Sequence, residues 1–290
     1  MESNFSEAEG QQQIEWPGFL RSIPCSEGTR AAFSICTLVT DASRYLEMVN
    51  SFVEHGFAPT DCEYFFIDNR VGNEFDAYQG FNQFLLEAKG RYVIICHQDV
   101  VLLEDDRSSL EDRLAELDSI DPTWAVCGNA GGIGPGKFAI RISDPWEENR
   151  DTRNFPARVS AVDENFIVIR RDANLALARD VSGFHLYGSA LSIVADILGH
   201  TTWVIDFHLR HKSGGNIDRE FFEIRKRAID KWGSAFRPRW IVTPTTSYLI
   251  SGLPGLYRVP NYIAGRSTGK GRRLASTYNR VRARIRRVLR

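Results

Sequence analysis

The clearest pattern in the sequence is an apolar run, Tyr92 to Cys96, that is rich in β-branched residues and ends abruptly on polar ones. The polar residues are His97, Gln98 and Asp99. Such a run is typical of a central strand buried on both faces of a parallel sheet. Ligands of open α/β sheets bind just beyond the carboxyl ends of the strands, so His97 and Asp99 are placed to meet a metal ion or a phosphate group. An ordinary polar turn after a strand explains the same residues equally well.

Similar patterns along the chain predict alternating strands and helices. Strands are predicted at 32–39, 63–67, 91–96, 123–127, 137–142, 166–169 and 202–205, and helices at 40–56, 75–89, 103–117, 184–198 and 221–232. The short links between these elements favour an α/β fold with a Rossmann-like, mostly parallel central sheet flanked by helices. We assign this single domain to residues 31–240, between an N-terminal arm (1–30) and a connecting segment (241–263).

The first three predicted strands end on polar residues that should lie side by side along one sheet edge. Asp68, at the end of the second strand, is expected to accept hydrogen bonds from a ribose or a base, although a turn cap remains an alternative. A dinucleotide-binding fold would place a glycine fingerprint after the first strand, and that turn contains no glycine. The glycine-rich stretch 131–136 contains a proline and precedes a predicted strand, so we expect a loop with no phosphate-binding role.

Composition supports a sizeable core and a reducing compartment. The chain has 290 residues, 43% of them hydrophobic, and an odd number of cysteines, five. Cys36 and Cys96 fall inside predicted strands and no CxxC spacing occurs, which indicates reduced core thiols. No signal peptide is visible in the polar residues 1–13, and no apolar run reaches the ~18 residues of a membrane span. We therefore expect a cytoplasmic protein.

The net charge of −1 conceals a strong asymmetry. Residues 264–290 carry ten basic side chains and no acidic one, whereas the rest of the chain has a net charge of −11. Apolar residues recur in this tail at helical spacing, which predicts a basic amphipathic helix lying on an anionic membrane surface, on the inner face of the cell membrane. A solvated tail and a docking helix for a partner remain open. Nucleic-acid binding is not expected, because the basic charge is confined to one end.

The motifs and their order resemble those of family-2-like glycosyltransferases of the GT-A fold. The likeness covers residues 32–235 and is greatest to a bacterial glycosyltransferase-like branch whose aspartate motif reads His-Gln-Asp. The matching pieces are 67–69, Asn82, 88–92, 97–100, 162–164, 169–171, 184–188, 199–205, 211–214 and 231–232.

This resemblance implies a metal-dependent glycosyltransferase that moves a sugar from a nucleotide-diphosphate sugar to an acceptor hydroxyl. Such enzymes serve polysaccharide, glycolipid or secondary-metabolite assembly, and a lipid-linked acceptor would suit a membrane-bound tail. The implied ligands of a Mn²⁺ or Mg²⁺ ion are Asp99 and His211, and imidazole suits Mn²⁺ better. The implied donor-binding residues are Asp68, Asn82, His97 and Asp99.

The sequence departs from this family at the catalytic base. Ala190 stands where an aspartate would deprotonate the acceptor, and alanine cannot accept a proton. Asp163, Glu164 and His185 are the replacement candidates. The alternative is a catalytically degenerate protein that binds sugar nucleotides and acts as a partner or regulator; a weaker one is another nucleotide-using α/β enzyme, such as a nucleotidyltransferase.

Overall fold

The computed structural model describes residues 31–215, 218–235, 239–242, 246–250 and 262–263. The predicted arm (1–30) and the basic tail (264–290) lie outside the described residues. No helix in the described ranges has the length and apolar composition needed to cross a bilayer.

The described residues form five α-helices and sixteen strands. The helices are α1 (Ala42–Glu54), α2 (Ala77–Glu87), α3 (Arg107–Ile120), α4 (Tyr187–Ile197) and α5 (Arg219–Ala235). The strands are β1 (Phe33–Val39), β2 (Cys62–Asp68), β3 (Tyr92–Cys96), β4 (Val100–Leu102), β5 (Trp124–Gly128), β6 (Ala130–Gly134), β7 (Lys137–Ser143), β8 (Arg150–Asp151), β9 (Ala157–Arg158), β10 (Ala161–Val162), β11 (Phe166–Arg170), β12 (Thr201–Val204), β13 (Leu209–His211), β14 (Arg239–Val242), β15 (Thr246–Ile250) and β16 (Tyr262–Ile263).

The central sheet has seven strands in the order β2-β1-β3-β11-β5-β12-β9. Strands β1, β2 and β3 run parallel, and β5 and β12 also pair in parallel. Strand β11 lies between β3 and β5 and is antiparallel to both, and β9 is antiparallel to β12. Five of the seven strands therefore point the same way, which confirms the predicted mostly parallel sheet in an α/β fold.

Each face of this sheet is covered by helices over its own apolar core. Along β3, Val93 and Ile95 point into one core with helices α2 and α4, whereas Ile94 and Cys96 point into the other with α1 and α3. All five residues of β3 are buried, as expected for a strand covered on both sides. Burying such an apolar side chain contributes about 1.5–3 kcal/mol. Strand β3, which leads into His97, Gln98 and Asp99, is therefore firmly anchored.

Aspartate caps fix where three of the helices begin. Asp41, Asp76 and Asp106 accept hydrogen bonds from backbone N–H groups in the first turns of α1, α2 and α3. The predicted start of the helix at 103–117 is wrong. Residues Val100–Leu102 form strand β4, and helix α3 begins at Arg107, after the cap at Asp106.

A second sheet has the order β10-β6-β7-β13-β4, and its strand β4 begins directly after the three polar residues that follow β3. The glycine-rich stretch 131–136 is not the predicted loop: it supplies β6 and a tight turn into β7. A Cβ atom on Gly131 would lie 2.6 Å from the carbonyl oxygen of Ala161, so glycine allows the neighbouring strand to approach.

The segment 143–158, which lies between the predicted strands 137–142 and 166–169, contains the short strands β8 and β9. Strands β14, β15 and β16 form a three-stranded antiparallel sheet, so the segment predicted only to connect (241–263) contributes regular structure. Four described cysteines are buried and form no disulfide, which agrees with the predicted reduced thiols: Cys36, Cys62, Cys96 and Cys127.

Candidate functional site

The ends of β1, β2 and β3 meet at one edge of the sheet, as the sequence predicts. The side chain of Gln98 joins two of them: its Oε1 accepts hydrogen bonds from the backbone N–H groups of Thr40 and Asp41, both at 2.8 Å, and its Nε2 donates to Thr40 Oγ1 at 2.7 Å. The middle residue of the His-Gln-Asp motif is therefore structural, and it fixes the backbone from which His97 and Asp99 project. Nothing in the sequence pattern indicated this role.

Three of the predicted site residues lie in one cluster: His97, Asp99 and His211. Strand β13 pairs with β4 so that His211 lies opposite Val100, directly beside Asp99. His211 Nε2 is 3.0 Å from His97 Nδ1 and 3.4 Å from Asp99 Oδ1. The ligand atoms of all three residues lie within 4.8 Å of one another.

Hydrogen-bond polarity identifies the tautomer of His97. The hydroxyl of Tyr187 donates its single proton to the carbonyl oxygen of Glu164, at 3.0 Å. It therefore accepts a hydrogen bond from His97 Nε2, 2.8 Å away, which must carry a proton. Neutral His97 then has its lone pair on Nδ1, facing His211. Histidines that bind metals are commonly oriented in this way: one ring nitrogen donates a hydrogen bond to a protein group, and the other presents its lone pair to the metal.

The charge state of the cluster also suits a cation. Burial raises the pKa of Asp99, but hydrogen bonds from His211 and Ser213 outweigh it, so the net pKa lies well below its ordinary value. Burial, reinforced by His211, lowers the pKa of His97. A carboxylate and two imidazole nitrogens meet at one point, and His211 Nε2 would give up the proton it shares with Asp99 when a cation binds. Such a donor set fits a divalent transition ion such as Mn²⁺ better than Mg²⁺, which prefers oxygen.

A cavity of about 420 Å³ opens beside this cluster; we call it the site cavity. All three candidate bases line it, together with two residues of the cluster: Asp163, Glu164, His185, His97 and His211. The structure thus brings the candidate bases and the candidate metal ligands to one space.

Glu164 has the surroundings of a general base. Its Oε1 accepts a hydrogen bond from the N–H of Gly188, at 3.3 Å, at the start of α4. Burial, and secondarily the charge of Asp163, raises the pKa of Glu164 to about 8, against hydrogen bonds from the helix that lower it. A carboxylate with a pKa near neutrality can take a proton and give it up within the working range of an enzyme.

Asp163 and His185 have other contacts. The Oδ1 of Asp163 is exposed and accepts hydrogen bonds from the backbone and side-chain N–H groups of Asn165, at 3.1 and 2.6 Å. His185 Nε2 lies 3.5 Å from Asp218 Oδ1, and its ring packs edge-on against Phe221. Both therefore contact the site cavity with side chains that already serve local structure.

Ala190 lies elsewhere. It is buried in α4 and lines a separate apolar cavity with Tyr78, Ile193 and Trp232. Only the first turn of α4, Tyr187 and Gly188, reaches the cluster and Glu164. Position 190, where the family motif places the base, therefore faces another cavity in this chain.

The two remaining predicted donor-binding residues differ in their placement. Asp68 forms a two-pronged ion pair with Arg70, at 2.8 and 2.7 Å, whose hydrogen bonds lower the pKa of Asp68 to about 2. Asp68 lies at the sheet edge where β1, β2 and β3 end. Asn82 instead exchanges two hydrogen bonds with the backbone of Leu177 and lines a different cavity of about 750 Å³. The structure does not bring Asn82 to the cluster.

No family model matches the chain. The product of ATP synthase subunits region ORF 6 from Fuscovulum blasticum is 35% identical over 228 residues, which cover 76% of this chain and 91% of that protein.

Three solved structures are similar at low identity. They are S. aureus TarS 1-349 in complex with UDP-GlcNAc (12% identity, TM-score 0.49), GalNAc-T7 with UDP, GalNAc and Mn²⁺ (11%, 0.47), and the Pyrobaculum calidifontis mannosyltransferase PcManGT with GDP-Man and Mn²⁺ (14%, 0.44). They match 69%, 70% and 72% of this chain, and the chain covers 66%, 48% and 64% of theirs.

Proposed function

The chain belongs to the same family as the Fuscovulum blasticum ORF 6 product, and we propose that it is a metal-dependent glycosyltransferase. It would move a sugar from a nucleotide-diphosphate sugar to an acceptor hydroxyl. The observation that carries the proposal is the juxtaposition of the His97, Asp99 and His211 cluster with Glu164 in one cavity at the carboxyl ends of parallel strands.

The three residues of the cluster would hold a divalent cation through Nδ1, a carboxylate oxygen and Nε2. When bound, the cation would offset negative charge on the leaving diphosphate. His97 thus takes a different role from the donor contact that the sequence predicts, because its Nδ1 lone pair faces the ion position. Asp68, at the same sheet edge, remains the candidate for contacts to the ribose or base.

Glu164 is the base that we favour among the three candidates. Its carboxyl group is largely shielded from water, reaches the site cavity and has a raised pKa, whereas Asp163 and His185 are engaged in local contacts. The presence of a base in the cavity favours transfer over a protein that only binds sugar nucleotides. The loss of an acid at position 190 no longer argues against activity, since that position lies outside the cavity.

Thermal unfolding of the full chain with UDP-, GDP-, dTDP- and CDP-sugars, with and without Mn²⁺, tests the donor site. We expect one nucleotide to raise the Tm only when Mn²⁺ is present, since binding to the folded state stabilises it. Asp99→Asn should abolish the shift, and Asp112→Asn, an exposed aspartate on α3, should leave it intact. If no donor gives a metal-dependent shift, the proposal fails.

Release of nucleotide diphosphate from the stabilising donor then separates transfer from binding. Glu164→Gln should keep the thermal shift and lose the release stimulated by acceptor. If the wild-type protein bound a donor but never released nucleotide diphosphate with any of a broad set of acceptors, the binding-only alternative would replace the proposal.

A further inference from the structure

The indole of Trp146 is exposed beside the candidate metal cluster. Its relative exposure is 79%, whereas Trp124 in the core has none. Single exposed apolar side chains are common, but tryptophan is among the residue types enriched at the energetic centres of binding surfaces.

The backbone that carries Trp146 is fixed by hydrogen bonds. Asp144 Oδ1 accepts from the N–H groups of Trp146 and Glu147, both at 2.9 Å, and Asp144 N–H donates to the Glu147 carbonyl at 3.1 Å. Directly after this turn, Glu148 forms a two-pronged ion pair with Arg210 at 2.7 and 2.8 Å. The exposed indole is therefore presented by an ordered turn.

One side of the indole lies against Gly214. A Cβ atom at this position would be 2.7–2.9 Å from three indole atoms, so only glycine allows the ring to lie there. Gly214 also lines the site cavity, next to His211 and Ser213. Trp146 thus packs against a glycine that lines the site cavity.

The indole lines a second cavity of about 420 Å³, which shares His211 and Asp144 with the site cavity. The other side chains around this second cavity are mainly charged: Glu147, Glu148, Arg210 and Lys212. An aromatic surface surrounded by charged hydrogen-bonding groups matches a sugar ring, which has apolar C–H faces and a rim of hydroxyls. A lipid chain would find little apolar surface here besides the indole.

We propose that Trp146 is a stacking platform for a saccharide acceptor, so that the hydroxyl glycosylated by this protein belongs to a sugar ring. This inference rests on the proposed function, since it assigns the acceptor class of the same site. The ring would lie on the indole, with its reactive hydroxyl directed past His211 into the site cavity.

The test uses the chain of 290 residues and its variants Trp146→Ala, Trp146→Phe and, as a matched control, Phe66→Ala. Phe66 is an aromatic residue of 56% exposure on β2, an edge strand of the central sheet, and it lines neither the site cavity nor the second cavity. The probes are methyl pyranosides of glucose, galactose, mannose and N-acetylglucosamine and a set of disaccharides, with binding followed by saturation-transfer NMR. Donor binding is followed separately by the Mn²⁺-dependent thermal shift.

We expect at least one probe to bind the wild-type protein and the control, and to bind Trp146→Ala at least tenfold more weakly. Trp146→Phe should retain binding within about threefold, because a phenyl ring still offers a stacking face. With an identified acceptor, Trp146→Ala should raise the acceptor KM 10–100-fold and leave the donor KM unchanged.

Three results would overturn the proposal. In the first, no probe binds any of the proteins, and in the second, Trp146→Ala binds the probes as well as the wild-type protein. In the third, Trp146→Ala lowers binding to anionic lipid vesicles but not to saccharides, which would make Trp146 a membrane contact. A failure of the donor site gives a different pattern, because the thermal shift is then absent from every variant while saccharide binding still depends on Trp146.

Discussion

Replacing Glu164 with glutamine should stabilise the protein at pH 8 and have little effect at pH 5. Glutamine has nearly the same shape and keeps an oxygen that can accept the hydrogen bond from Gly188, so the packing should be preserved. The substitution removes only the ability to ionise in a shielded position, and the cost of that ionisation is what raises the pKa of Glu164.

The sign follows from the two pKa values. In the unfolded chain Glu164 ionises near its ordinary value of 4.5, and in the folded protein near about 8. Between these values the unfolded state has released a proton that the folded state retains. The unfolding free energy of the wild-type protein therefore falls, relative to the variant, by up to about 1.4 kcal/mol per pH unit, and levels off above pH 8.

The difference between 4.5 and about 8 sets an upper limit of roughly 5 kcal/mol. Local relaxation and water entry reduce such penalties, so we expect a gain of about 2–3 kcal/mol at pH 8. Urea unfolding at pH 5 to 9 in the presence of EDTA, followed by circular dichroism, measures it. Glu87→Gln, an exposed glutamate at the end of α2, is the control for the loss of one charge.

Two results would refute this reasoning: a stability difference that does not change with pH, or a variant less stable than the wild-type protein at pH 8. The same substitution should lower kcat by about 10²–10⁴ if Glu164 is the base. Greater stability with lower activity is the combination expected of a strained catalytic group.

Three further substitutions test other contacts of the site. Tyr187→Phe removes the hydroxyl that fixes the tautomer of His97 and should weaken Mn²⁺ binding about 10–100-fold by titration calorimetry. It also breaks two buried hydrogen bonds, so the metal-free variant should lose about 1–3 kcal/mol of stability in urea unfolding. Unchanged Mn²⁺ affinity would show that the tyrosine does not orient the metal ligand. Asn82→Ala should cost about 1–3 kcal/mol of stability, because it breaks two backbone hydrogen bonds, and leave the donor-induced thermal shift unchanged; a lost shift with intact stability would restore its predicted donor role. Gly188→Ala places a Cβ atom 2.7 Å from the carbonyl of Val162 and next to the Glu164 side chain, so it should cost about 1–3 kcal/mol in urea unfolding and reduce activity; a fully active, stable variant would show that this turn can shift freely.

The sequence predicted the parts of the site that local patterns encode. Buried strands ending on polar residues placed Asp68, His97 and Asp99 at one sheet edge, because parallel strands share the position of their carboxyl ends. Glu164 was named as a candidate base together with Asp163 and His185. Preferring Glu164 among the three required the structure, since its burial and its contact with Gly188 come from residues distant in the chain.

The errors have a common origin in contacts between distant segments. The glycine-rich stretch was predicted to be a loop because glycine weakens isolated strands, yet Gly131 is needed where Ala161 approaches closely. Ala190 was assigned by position in a motif, whereas the packing of α4 decides which residues of that helix reach the cavity. No local pattern marked Gln98 as structural, because its role depends on contacts with the end of β1, and the position of Trp146 beside Gly214 is visible only in the fold.

The order of strands in the central sheet has a consequence for how the protein is made. Strand β3 is entirely apolar and needs β11 to complete its pairing, yet β11 is encoded about 70 residues later. At roughly 5–20 residues per second, ribosomes leave one edge of β3 unpaired for about 4–15 s during synthesis. Throughout this interval Tyr92 to Cys96 form a β-prone segment that can pair with another nascent chain. The speed of translation and the supply of chaperones therefore influence how much of this protein reaches its folded state.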